Sequence, residues 1–156
     1  MKCKMEIKDV KLFLDSCHAA KRIVELMPKL PKGLTPRHIH VIEAIWQISQ
    51  EYGTVKVSDV SLFLRVTRPS VTKLINELAS LDVVRKLPDP VDHRSTLVEL
   101  TSLGQKYYDF YVDQYHNWLA GQCSDIDPEH FRITADTLFH VFEILSMQKM
   151  EVPENE

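Results

Sequence analysis

Glycine is scarce in this chain, with four in 156 residues. Sites that cradle phosphates or close flexible lids lean on glycine-rich loops, and there is little material for one here. No GxSxG, P-loop or HExxH pattern occurs, so no catalytic set is visible and the chain reads as a non-enzyme. Cysteine is also sparse. Cys3, Cys17 and Cys123 are odd in number and lack CxxC spacing, which argues against a disulfide framework and a zinc ribbon. Histidine is more plentiful but scattered. His38 and His40 are two apart and point to different faces of a helix, His116 shares its face with Asp113 alone, and His18 adjoins Cys17. No spacing builds three or four ligands, so neither metal nor cofactor is expected. No apolar run is long enough to span a bilayer, and the opening MKCKMEIKDVK has no signal-peptide h-region. The expectation is a cytoplasmic protein with no membrane partner.

What is present is an ordinary globular mix, 44% hydrophobic and 26% charged, in a length that suits one domain with helical extensions. The formal net charge is −3, unlike a non-specific nucleic-acid binder. Its distribution is uneven. Between Arg65 and Lys86 stand five basic residues (Arg65, Arg68, Lys73, Arg85, Lys86) and two acidic ones (Glu77, Asp82). A positive face on an acidic body can bind DNA at one place and repel it elsewhere.

The stretch from Val57 to Gly104 organises the rest. Val57, Val60 and Leu64 make a short helical pattern. After a stop at Arg65–Thr67, Val71, Leu74, Ile75, Leu78 and Leu81 make a longer apolar stripe. Thr67 is placed to N-cap the second helix through its hydroxyl, and Pro69 sits in its first turn, where a missing N–H is harmless. The polar face carries Arg68, Ser70, Thr72, Lys73 and Asn76, all able to donate to phosphates or base edges. This is a helix-turn-helix. Two β-like runs come next, Val83–Leu87 and Thr96–Leu100, with the turn-rich Pro88–Arg94 between them. A hairpin with an extended loop after a recognition helix forms a wing. Arg94 near its tip suits a narrow minor groove. Asp89 and Asp92 read as wing-shaping residues rather than an acid pair.

These residues resemble the MarR (multiple antibiotic resistance regulator) family of bacterial transcription regulators. The matching motifs are VTRPSVTKLINEL at Val66–Leu78, DHR at Asp92–Arg94 and LTSLG at Leu100–Gly104. The resemblance covers roughly a third of the chain. It implies a sequence-specific regulator of double-stranded DNA, homodimeric on a pseudo-palindromic operator, with Asp92 holding the wing in shape. Two positions depart from the family pattern. Arg65 stands at the usual turn glycine and Asp82 at the usual glycine after the recognition helix, both places that often require φ > 0.

Outside the motif region the chain reads as helices. Val10–Met27 is the first, closed by Pro28 and Pro31. Thr35-Pro36 starts a second, ended by Tyr52-Gly53-Thr54. Thr101 caps a long helix to about Gln122. A last helix begins after Asp127-Pro128. The first and last are apolar on wide faces that a winged-helix core does not need, and the simplest sink is a second copy. The expected layout is mainly α with a small β-wing. Residues 1–34 and 102–156 would form a helical dimerisation region, and residues 35–101 a winged helix-turn-helix lobe.

Two further features invite function. Trp46 and the row Tyr107, Tyr111, Tyr115 suit a pocket for a small aromatic effector, which the family resemblance also implies, although such a row is also ordinary packing. Cys17, with Lys21 at i+4, is a candidate oxidant sensor, with a small buried hydrophobe on the Phe13–Cys17–Ala20 stripe as the alternative. The favoured reading is a repressor released by a small-molecule effector. Its rivals are a winged-helix protein-interaction module and a ligand or oxidant sensor without direct operator binding.

Overall fold

The computed structural model describes residues 4–148 and 150; Cys3 lies outside them. The elements run α1 (Ile7–Glu25), α2 (Pro36–Tyr52), α3 (Val57–Phe63), α4 (Arg68–Ser80), β1 (Val84–Pro88), β2 (Thr96–Leu100) and α5 (Ser102–Tyr108). A π-helical segment (Asp109–Gln114), α6 (Tyr115–Gln122) and α7 (Pro128–Met147) complete the order. This is a mainly helical fold with a small two-stranded wing. The chain divides into two compact units, Met1–Asn117 and Trp118–Glu156.

In the first unit, α2 is the hub. Its Pro36 occupies the first turn, and the backbone N–H of Thr35 donates to His38 Nδ1 at 3.1 Å. Ile39, Val41, Ile42, Ala44, Ile45 and Ile48 are buried, a face wide enough to carry α3, α4, α5 and β2 at once. Gly53, at φ 77°, ends the helix in a backbone conformation that suits glycine. Val71, Ile75 and Leu78 of α4 enter the same core. The strands are antiparallel, with Val84 opposite Leu100 and Pro88 opposite Thr96. Segment 55–56 adds one bridge, Lys56 to Leu97, and Val98 N–H donates to Val55 O at 2.9 Å.

The two turns with displaced glycines close in the same way. After α3, Arg65 has φ 53°, with Arg65 N–H on Leu62 O and Val66 N–H on Ser61 O. After α4, Asp82 has φ 58°, with Asp82 N–H on Ala79 O and Val83 N–H on Leu78 O. Each is a Schellman closure built on a left-handed residue that is not glycine.

Gly104 explains the LTSLG motif. A Cβ at this position would collide with the backbone carbonyl of Val83. The Thr101 side chain accepts from Gly104 N–H at 3.1 Å and donates to Asp82 O at 2.6 Å. The start of α5 is thereby clamped onto the start of β1.

Three expectations need correction. The first helix spans Ile7–Glu25 rather than Val10–Met27, because Asp9 reaches back to Glu6 N–H at 3.3 Å and starts it earlier. Thr67 has the extended N-cap backbone but no side-chain cap bond. Pro69, at the second helical position, has no N–H to offer it. The long helix after Thr101 is broken by the π-helical segment.

The terminal helices stay open in this single chain. No residue of α1 is buried, and Ile7, Leu12, Leu14, Ile23 and Val24 are exposed. In the second unit, Asp127 caps α7 by accepting from Glu129 N–H at 2.9 Å. No residue of α7 is buried either, and Phe131, Ile133, Phe139, Phe142 and Leu145 are exposed.

Candidate nucleic-acid interface

The exposed face of α4 and the inner side of the wing enclose one groove, to which Lys56, Arg68, Thr72, Asn76, Lys86 and Arg94 contribute. Four of these six are cations. Arg68, Thr72 and Asn76 also line the open outer surface of α4, together with Lys73. The helical spacing of the polar face brings these residues into one row, as i, i+4 and i+8 must. Of the residues singled out from sequence, Arg68, Thr72, Asn76 and Arg94 meet in the groove. Lys73 stands outside it, highly exposed and 4.0 Å from Glu77. Ser70 does not line it and accepts from Arg37 Nη2 at 3.2 Å.

The wing is shaped by two carboxylates. Asp92 accepts from Ser95 Oγ at 2.6 Å and from Arg94 N–H at 3.1 Å. Asp89, only 4% exposed, accepts from Val91 N–H at 2.9 Å and Asp92 N–H at 3.2 Å. Its other oxygen takes Lys56 Nζ at 3.0 Å. The backbone N–H of Val91, then the Lys56 ammonium, hold the Asp89 carboxyl below the usual aspartate range. The Ser95 hydroxyl, then the Arg94 N–H, do the same for Asp92. Lys56 is shifted up by the same pairing with Asp89.

Behind α4, His38 is buried at the start of α2. Its Nδ1 takes the Thr35 N–H, so Nε2 carries the proton that reaches Glu77 Oε2 at 2.9 Å. This contact ties α4 to the hub. Sequence reasoning missed Lys56, Lys86, Arg37, Asp89 as the buried anchor, and the His38–Glu77 pair. Their partners lie ten to thirty-nine residues away in sequence, beyond any local pattern. Only the basic count between Arg65 and Lys86 pointed toward Lys86.

The aromatic row does not assemble as a straight stripe. Trp46 stacks on Tyr108, with centroids 4.2 Å apart and 14° between planes, and Tyr108 is not in the row. Tyr107 meets Tyr111 edge-on at 6.0 Å, whereas Tyr115 lies beside His116 at 6.1 Å. The π-helical segment is the reason, since its wider turns rotate the residues beyond it off the 3.6-residue register. Tyr111 is buried, and its hydroxyl donates to Lys29 O at 3.0 Å. Burial, then the neighbouring Tyr107, pushes its phenol up; burial does the same for Tyr108, followed by Asp113. Cys17 is half-buried, as are Phe13 and Ala20 of its stripe.

Comparison with known proteins bears on this geometry. Residues 33–88 match the family described as iron dependent repressor, N-terminal DNA binding domain. No curated protein sequence matches the chain. FabT of Streptococcus pneumoniae, solved in complex with DNA, is 20% identical at a TM-score of 0.64, covering 92% of this chain and 100% of that one. The PcaV transcriptional regulator of Streptomyces coelicolor, solved with its natural ligand, is 14% identical at 0.64, covering 92% and 98%. BpsR of Bordetella bronchiseptica, whose DNA binding is regulated by 6-hydroxynicotinic acid, is 19% identical at 0.61, covering 86% and 98%. These three are MarR-family regulators, and this chain has their fold.

Proposed function

We propose that this chain is a MarR-like, sequence-specific regulator of transcription that binds double-stranded DNA as a homodimer. The observation that carries the reading is the groove where Lys56, Arg68, Lys86 and Arg94 converge on a chain of net charge −3. Four cations in one concavity on an acidic body favour a polyanion docked at that face. In this reading α4 enters the major groove, with Arg68, Ser70, Thr72, Lys73 and Asn76 toward it. Arg94 reaches the flanking minor groove, and Asp92 holds the wing. Arg37, bonded to Ser70, adds a phosphate contact beside α4. The fold shared with DNA-bound FabT supports this docking.

The dimer follows from α1 and α7. Burying a large apolar side chain is worth roughly 1.5–3 kcal/mol, and both helices leave such residues in water. A twofold pairing through them would bury those faces and present two recognition helices to two half-sites. No described helix is long and apolar enough to cross a membrane, and a regulator of this kind acts in the cytoplasm, without catalysis of its own.

We further propose that the regulator is a repressor released by a small aromatic acid, as regulation of BpsR by 6-hydroxynicotinic acid suggests. Tyr111 and its edge-on neighbour Tyr107 are the favoured contacts, with Trp46 and Tyr115 flanking. The hydroxyl of Tyr111 ties the π-helical segment to the connector between α1 and α2. A ligand that replaced this bond would move α1 against the lobe and so change half-site spacing. Selection of bound duplexes from a random pool tests the function. An enriched inverted repeat, bound by a species of twice the chain mass with steep salt dependence, is the expected result. Failure to enrich any sequence overturns the reading.

A further inference from the structure

Resting on the DNA-binding function proposed above, we infer that Asn76 and Lys86 act as one reading unit that selects guanine over adenine. Lys86, in β1, donates from Nζ to Asn76 Oδ1 at 2.8 Å. An ammonium has three donors and no acceptor, so the amide atom it meets must be the oxygen. Both side chains are exposed and line the groove between α4 and the wing.

An asparagine on its own reads adenine. Its oxygen accepts from the N6 amino group while its NH2 donates to N7. Here the oxygen is already engaged by a cation. What the pair leaves for a ligand is the Nδ2 amino group of Asn76, the two remaining N–H bonds of Lys86 and the second lone pair of Oδ1. All but that lone pair are donors, and the unit carries a positive charge. The major-groove edge of guanine offers two acceptors, N7 and O6. Adenine would bring its N6 amino group up to the ammonium N–H bonds, with only the oxygen already shared with Lys86 to accept it. The preference therefore comes from a residue in the strand after the recognition helix, acting through the helix's own asparagine.

Random-duplex selection with the wild-type dimer, Lys86→Met and Asn76→Ala tests this. Lys86→Met keeps the stem and removes the donors. The wild type should enrich a guanine at one position of each half-site, and 7-deazaguanine there should weaken binding about tenfold. Lys86→Met should lose that preference and accept adenine at the same position. Asn76→Ala should relax that position alone. The inference is overturned if Lys86→Met weakens all sequences equally, lowers the salt slope by about one and leaves the preferences intact, because Lys86 is then a phosphate contact. If the wild type enriches no sequence, the DNA-binding function itself fails. If it enriches a site with no guanine in the half-site, only the guanine assignment fails.

Discussion

Lys56 Nζ sits 3.0 Å from the carboxylate of Asp89, joining the residue before α3 to the base of the wing. The lysine is partly exposed and the aspartate is buried. Asp89 also gathers the N–H groups of Val91 and Asp92, so one carboxylate sets both where the wing begins to turn and where it rests. Asp89→Asn should loosen residues 88–95 and weaken operator binding while the core stays folded. Hydrogen exchange confined to the wing would show this. Unchanged exchange there would assign the anchor to the hairpin alone.

The wing should also respond to acid. Asp89 and Asp92 are both held below the ordinary aspartate value in the fold. Their contribution is complete above the unfolded value, about pH 4, and is lost as pH falls through the lower folded values. Backbone amide spectra of residues 88–95 should therefore stay native-like at pH 5 and change only well below pH 4. A change centred between pH 5 and 7 would contradict the pairing.

Arg94→Ala should cost roughly 1–3 kcal/mol of operator affinity with the melting temperature unchanged, the scale of a specific groove contact. Lys73→Ala should weaken all duplexes alike and reduce the salt slope by about one. Equilibrium binding at several salt concentrations separates the two behaviours.

Gly104→Ala should destabilise the protein by about 1–3 kcal/mol, the usual range for overpacking. The added Cβ meets the carbonyl of Val83, which is backbone and cannot rotate away. Denaturant unfolding measures the loss. A neutral result would mean that α5 can lift off β1.

Asp82→Gly should act in the opposite direction. A left-handed residue other than glycine costs roughly 1–2 kcal/mol, so glycine at φ 58° should raise stability by about 1 kcal/mol, reduced by its greater freedom when unfolded. Thermal unfolding of the variant checks the sign.

The helix-turn-helix and wing were legible in the sequence because their signals are local. The Val71, Ile75, Leu78 stripe fixes which face of α4 is buried, and Arg68, Thr72 and Asn76 then face outward by helical period alone. Arg65 and Asp82 were readable as left-handed positions only through the family resemblance, which puts glycine at both. The features that escaped were non-local. Lys56 and Asp89 are thirty-three residues apart, and His38 meets Glu77 across thirty-nine. The π-helical segment escaped for another reason. Tyr107 and Tyr111 keep i, i+4 spacing whether or not the helix widens between them, so the pattern carries no trace of the change in register.

Most DNA that a regulator meets is the wrong sequence, and its grip on that DNA rests on phosphate neutralisation. A free carboxylate on the reading face would weaken every such encounter. Glu77 is the acidic residue of α4, and one of its oxygens is hydrogen-bonded. Oε2 is drawn to His38 at 2.9 Å, and Oε1 lies 4.0 Å from Lys73. In the proposed DNA complex, phosphates passing α4 would meet a carboxylate already shared with these two partners. On that reading, a histidine buried in the core would bear on how long a stretch of DNA each encounter can search.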